Sequence, residues 1–270
     1  MTHDPLLARA RRVWLKMAGV SMDFPVGGGV EVAVSARSRL CPPGWVGIVG
    51  LGDAVVVTVP TGRWAGIVRT VLHELPVGVL TDADRLRAVL PIAEVLGPAS
   101  LAYLDECDFQ PAGLDSVDVV PGEHADLAGL LASVATDDAD ECGLADITSD
   151  AFVVRRGNRV VAAAGYRRWP GLVAHLCVLT EPNHRGRGLA PAVASAAVAD
   201  ALANRLLPQW RARPYPSRQV ALALGFRQLG AQLSIRIRVS AQTPLRRLPE
   251  RPRRTRRESR DPRHESACVA

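Results

Sequence analysis

Val178-Leu179-Thr180-Glu181-Pro182-Asn183-His184-Arg185-Gly186-Arg187-Gly188-Leu189-Ala190 is the stretch on which the reading of this chain turns. It begins in a β-rich run, residues 172–180, and leads into an alanine-rich run, residues 188–204, whose composition predicts a helix. Pro191 falls in the first turn of that helix, where proline is tolerated. Gly186 and Gly188 permit a tight backbone path between the two elements. The first amides of a helix lack intrahelical partners and lie at the positive end of its dipole. Such a start suits phosphate oxygens, and Arg185 and Arg187 add charge-assisted contacts. A P-loop is excluded because Gly188-Leu189-Ala190 lacks the Lys-Ser/Thr ending, and a dinucleotide fingerprint because position 191 is proline. An Arg-Gly RNA-binding segment would sit in disordered sequence, not between a strand and a helix.

Around this turn the pattern alternates between strand and helix. Upstream, a short strand at 117–120 precedes helices at 121–133 and 137–144, the second acidic in its first turn. Runs 152–154 and 159–164 bracket Arg156-Gly157-Asn158, a hairpin signal. Downstream come a strand at 206–210, a helix at 217–224 and a strand pair over 226–238 bent at Gly230.

The quoted stretch resembles the acyl-CoA-binding signature of the GNAT superfamily of N-acetyltransferases, with Arg185, Gly188 and Ala190 at its defining positions. Ser217-Arg218-Gln219-Val220-Ala221-Leu222-Ala223-Leu224-Gly225-Phe226 is similar to the family's last helix and closing Leu-Gly-Phe. The resemblance covers the C-terminal half only. It implies an α+β fold, a mixed and mostly antiparallel sheet flanked by helices. It implies acetyl-CoA as acyl-donor co-substrate, no metal, and transfer of an acetyl or short acyl group to an amine by direct attack. Backbone groups of Val178, Leu179 and Thr180 would hold the pantetheine arm. Amides from Arg185 through Gly186, Arg187, Gly188 and Leu189 to Ala190 would hold the pyrophosphate, and Ser217 is retained from the pattern. The usual general acid, a tyrosine, is replaced by Ala221. Ala174 stands where protein-modifying members carry a glutamate, and Pro214 where an asparagine is common. His175, Glu181 and Tyr215 are the candidate catalytic residues in their place, with Glu141 a further carboxylate in the covering helix. These departures leave a non-catalytic acyl-CoA-binding regulatory module as the alternative to an enzyme. The acceptor amine is not named by any spacing.

The remainder of the chain divides around this half. Residues 1–111 read as a smaller α+β domain. An amphipathic helix spans 6–18, and strands at 30–34, 45–49 and 54–59 follow, the last two joined by a hairpin at Gly50-Leu51-Gly52-Asp53. Gly50-Leu51-Gly52 is no dinucleotide turn, because a strand follows it. Helices are expected at 63–75 and 82–96. This domain shapes the site, mediates homodimerisation, or is a diverged second copy of the fold. Residues 116–240 carry the acetyltransferase pattern, and 241–270 read as a disordered arginine-rich tail. From Arg246 to Glu265 nine arginines face four acids, so most of the chain's +6 charge lies there. Without interleaved aromatics the tail reads as a solvated end, not a nucleic-acid contact. Five scattered cysteines form no C-x-x-C pair and are expected as thiols, Cys177 as a small apolar strand residue. No apolar run is long enough to span a membrane and no leader pattern opens the chain, so a cytoplasmic protein is expected.

Overall fold

The computed structural model describes residues 4–113, 117–170 and 172–238, and the tail expected from residue 241 lies outside them. Helix α1 (Pro5–Ala18) starts at Asp4, whose carboxylate accepts from the Leu6 and Leu7 amides at 3.1 and 3.2 Å. Its buried stripe of Leu6, Ala10, Val13, Trp14 and Met17 is the amphipathic face expected of it. Strand β1 (Gly29–Val34) precedes the hairpin β2 (Val46–Leu51) and β3 (Ala54–Val59), turned at Gly52 with φ +65°. Helix α2 (Gly62–His73) follows as predicted, but the helix expected at 82–96 is only α3 (Ala83–Arg87). Pro91 restricts the residue before it to extended geometry. From Ile92 the chain runs as a twelve-residue strand, β4 (Ile92–Tyr103).

The C-terminal half supplies β5 (Asp118–Val120), α4 (Ala125–Ala132), α5 (Thr136–Cys142), β6 (Ala151–Arg156), β7 (Arg159–Trp169) and β8 (Val173–Thr180). It continues through α6 (Leu189–Ala203), β9 (Leu207–Ala212), α7 (Tyr215–Ala223) and β10 (Arg227–Ile237). The final strand pair expected from 226 to 238 is one strand. Its neighbours come from the other end of the chain, β2 on one side and β4 on the other. Gly230 marks a register shift against β4 and lies against the Gly50 carbonyl of β2 so closely that a side chain would overlap it.

The result is a mixed α+β fold on one ten-stranded sheet of order β1-β3-β2-β10-β4-β9-β8-β7-β6-β5. Among the described residues only β1–β3 and β8–β9 pair in parallel. Strands from 1–111 and from 116–240 interleave in this sheet, β4 lying between β9 and β10. Helices α6 and α7 cover one face of the C-terminal strands through a core that includes Val193, Ala197, Trp210 and Phe226. On the other face α1 packs on Leu101, Tyr103, Val173 and Leu207, joining the two halves. Leu127 and Leu130 of α4 pack on Cys177 and Leu179 of β8. Among the described residues no helix is long and apolar enough to cross a membrane.

Candidate active site

The parallel pair β8–β9 holds together only from Val173↔Leu207 to His175↔Gln209. Beyond that point the strands part, because each is committed on its outer side. Strand β8 follows β7 in unbroken register from Trp169↔Val173 to Ala162↔Thr180, while β9 follows β4 from Tyr103↔Gln209 to Ser100↔Ala212. The inner edges of residues 176–180 and 210–212 are therefore free of ladder bonds to each other.

A cleft of about 720 Å³ opens at this splay. On one side it is lined by Val178, Leu179 and Thr180, and on the other by Trp210 and Ala212; α7 adds Tyr215 and Ser217. At its foot lie Arg185, Gly186, Gly188, Leu189 and Ala190, where β8 has turned into α6. Gly186 and Gly188 have φ +75° and +74°, in the region that favours glycine, and a Cβ at either would meet nothing within 4 Å. Gly188 is the N-cap of α6 and brings no capping side chain, so the first-turn amides remain open. The Thr180 hydroxyl is buried against the cleft with no hydrogen-bond partner among the described residues. Open space over left-handed glycines, uncapped amides at a fifteen-residue helix and an orphaned hydroxyl fit a bound pyrophosphate and its attached arm.

Of the ten expected cofactor-binding residues, all but Arg187 line this cleft. Arg187 stands on the turn, is exposed, and does not line the cleft. Arg185 is already engaged: its Nε donates to the Thr180 carbonyl at 3.2 Å and its Nη2 to Asp138 of α5 at 2.8 Å. It ties the strand end, the glycine turn and the covering helix into one unit. Ser217 accepts from Trp210 Nε1 at 3.0 Å, which fixes the start of α7 against β9.

The three expected catalytic residues separate. Glu181 does not line the cleft. Its carboxylate accepts from Arg159 at 2.8 Å and lies 2.9 Å from His184 Nδ1, so it braces the loop after β8 instead of facing a substrate. Tyr215, at the first position of α7 and 65 % exposed, lines the mouth of the cleft. His175 lies at the vertex where the splay begins and also lines the cleft. Its ring stacks on Trp169 with centroids 4.4 Å apart, and its Nδ1 donates to Gln209 Oε1 at 2.5 Å, leaving Nε2 as an acceptor. Burial, aided by the Arg211 charge, pushes the imidazole down to about 3, so the ring is neutral throughout the physiological range. The same vertex is anchored to the N-terminal helix: Trp169 meets Trp14 edge-on at 5.9 Å, and Trp14 Nε1 donates to Tyr103 at 2.6 Å. Ala174 of β8 and Ala221 of α7 are both buried in the same core.

The helix expected at 137–144 is present as α5, but Arg211 and the ion pairs of that helix escaped the sequence. Arg211, the single charge in the apolar run of β9, lines the cleft, and its position in that run was the available signal. Helix α5 reaches across the splay, with Asp138 on Arg185 and Glu141 on Arg213, whose Nε donates at 2.9 Å.

A mixed sheet thus parts between two parallel strands above a glycine-framed helix start. Residues 151–231 match the family model described as GNAT acetyltransferase. No protein of curated function matches the sequence. Among solved structures, the chain is similar to a GNAT-family protein of Novosphingobium aromaticivorans at 20 % identity and TM-score 0.43, covering 53 % of this chain and 65 % of that one. It is similar to an acetyltransferase of the GNAT family from Colwellia psychrerythraea at 13 % identity and TM-score 0.41, covering 55 % and 59 %. A GCN5-related N-acetyltransferase-like protein of Streptococcus suis aligns at 15 % identity and TM-score 0.45 over 86 % of this chain and 98 % of its own. The chain thus spans less than two thirds of the first two of these proteins.

Proposed function

We propose that this protein is an N-acetyltransferase that moves an acetyl or other short acyl group from acyl-CoA to an amine. One observation carries the reading: the glycine turn, the free edge of β8 and the start of α7 line a single cleft. Acyl-CoA, when bound, supplies an electrophilic thioester carbonyl. The amides from Gly186 to Ala190 would hold its pyrophosphate, and the edge of β8 with the Thr180 hydroxyl would hold its pantetheine arm. The amine nitrogen forms a bond to the carbonyl carbon, the C–S bond breaks, and the thiolate takes a proton as the new amide loses one. Positioning supplies most of the rate in such a transfer. Tyr215 is the hydroxyl available to protonate the thiolate, and the neutral His175 offers Nε2 as a hydrogen-bond acceptor for the attacking amine. Residues 116–240 carry this chemistry in our reading, with 1–111 as the segment that holds β9 apart from β8. The free thiols Cys41, Cys107, Cys142 and Cys177 support a reducing, cytoplasmic setting.

The non-catalytic alternative rests on the buried alanines at 174 and 221. Calorimetry with acetyl-CoA, followed by thiol release across a panel of amines, separates the two. Binding with turnover on at least one amine is expected. Absence of acetyl-CoA binding defeats both readings, and binding without thiol release on any amine selects the regulatory module.

A further inference from the structure

On the far side of α5 from the glycine turn lies a second pocket of about 560 Å³, a size that suits a small molecule. Glu141 and Arg211 line both spaces, so the pocket adjoins the cleft. Its floor comes from both ends of the chain, Leu96 and Ala99 of β4 beside Gln232 and Ser234 of β10.

The polar groups here are only partly committed. Glu141 and Arg213 neutralise each other. Asp137 and Asp140, on the same helix, have no ion-pair partner among the described residues and line the pocket. Arg211 donates to Gln232 Oε1 at 3.3 Å and meets no carboxylate among the described ion pairs. Ser234 is 2 % exposed, lines the pocket, and has no partner among the described side-chain hydrogen bonds. The Ser234 hydroxyl and the exposed Arg211 guanidinium are both open to an acceptor group on a ligand. The exposed carboxylates of Asp137 and Asp140 add negative charge to the same pocket.

Resting on the acyl-CoA reading above, we propose that this pocket takes the acceptor, and that the acceptor is a small zwitterionic amine. Its ammonium enters against Asp137 and Asp140 and gives up one proton to solvent water before the nitrogen attacks. Its anionic group, a carboxylate or its equivalent, is held by Arg211 and Ser234. The N-terminal segment then builds part of the acceptor site through β4.

The test is thiol release from acetyl-CoA with free amino acids and glycyl dipeptides, set against their amides and methyl esters and against simple diamines. Zwitterions are expected to exceed their esters at least tenfold in kcat/KM. The exposed pair Asp137→Asn/Asp140→Asn, outside the glycine turn, is expected to raise the acceptor KM at least tenfold while acetyl-CoA affinity by calorimetry stays within twofold. Preference for esters or diamines, an unchanged acceptor KM in the double variant, or no turnover of any zwitterion while acetyl-CoA still binds overturns the proposal. Failure of the unaltered protein to bind acetyl-CoA overturns the reading beneath it instead.

Discussion

Gly188→Ala tests the glycine turn with a single methyl group. The residue has φ +74° and ψ 5°, and nothing lies within 4 Å of the new Cβ. The fold therefore bears only the left-handed strain of an alanine, about 1–2 kcal/mol. For a chain of this size that lowers Tm by roughly 2–8 °C. In the proposed acyl-CoA site the methyl would occupy the space through which a phosphate reaches the α6 amides, and would forfeit at least one hydrogen bond to a charged group. Such bonds contribute about 1.5–3 kcal/mol, so acetyl-CoA affinity should fall about tenfold to a hundredfold. Gly157→Ala is the matched control: φ is +58°, the surroundings are equally open, and the residue lies in the β6–β7 turn away from the cleft. Calorimetry with acetyl-CoA and a thermal melt on both variants read the two effects apart. Similar Tm losses with weakened binding in Gly188→Ala alone are expected. Binding within twofold of the unaltered protein in Gly188→Ala, or equal weakening in both, would refute the placement of the pyrophosphate.

Two further outcomes follow from packing and charge. His175 has a folded value of about 3 against an ordinary 6.5, so below pH 6.5 the unfolded chain binds a proton that the folded one refuses. Stability is full above that pH and falls as pH drops toward 3, by up to about 1.4 kcal/mol per pH unit. Urea unfolding at pH 7.5 and 5.5 should show His175→Asn losing about 1 kcal/mol less than the unaltered protein over this interval; parallel losses would dispose of the buried neutral imidazole. Gly230→Ala would drive a methyl into the Gly50 carbonyl and cost about 3 kcal/mol. Gly66→Ala, on the open face of α2, should leave stability equal or slightly raised. A harmless Gly230→Ala in urea denaturation would mean that β10 does not lie against β2.

Much of the local structure was legible before any coordinates. The amphipathic stripe of α1, the β2–β3 and β6–β7 hairpins and the turn from β8 into α6 each depend on side chains within a few residues of one another. Glycine spacing and helix polarity alone marked Gly186 and Gly188, and the cleft includes both. The helix expected at 82–96 failed for a different reason. Ile92, Val95 and Leu96 are apolar enough for either structure, and the slot between β9 and β10 selects the extended form.

The catalytic candidates show the same division more sharply. Glu181 and His175 sit six residues apart near the end of one strand, yet one carboxylate is drawn to Arg159 and the other side chain closes the splay vertex. Sequence by itself determined a phosphate-suited turn and the order of elements around it, because those follow from short-range backbone geometry. Tertiary structure alone decided that β4 holds β9 away from β8, that α5 spans the gap, and that Arg211 and Ser234 share a pocket. Those relations depend on pairing between strands far apart in the chain, and no local pattern of side chains specifies which edge a strand will find.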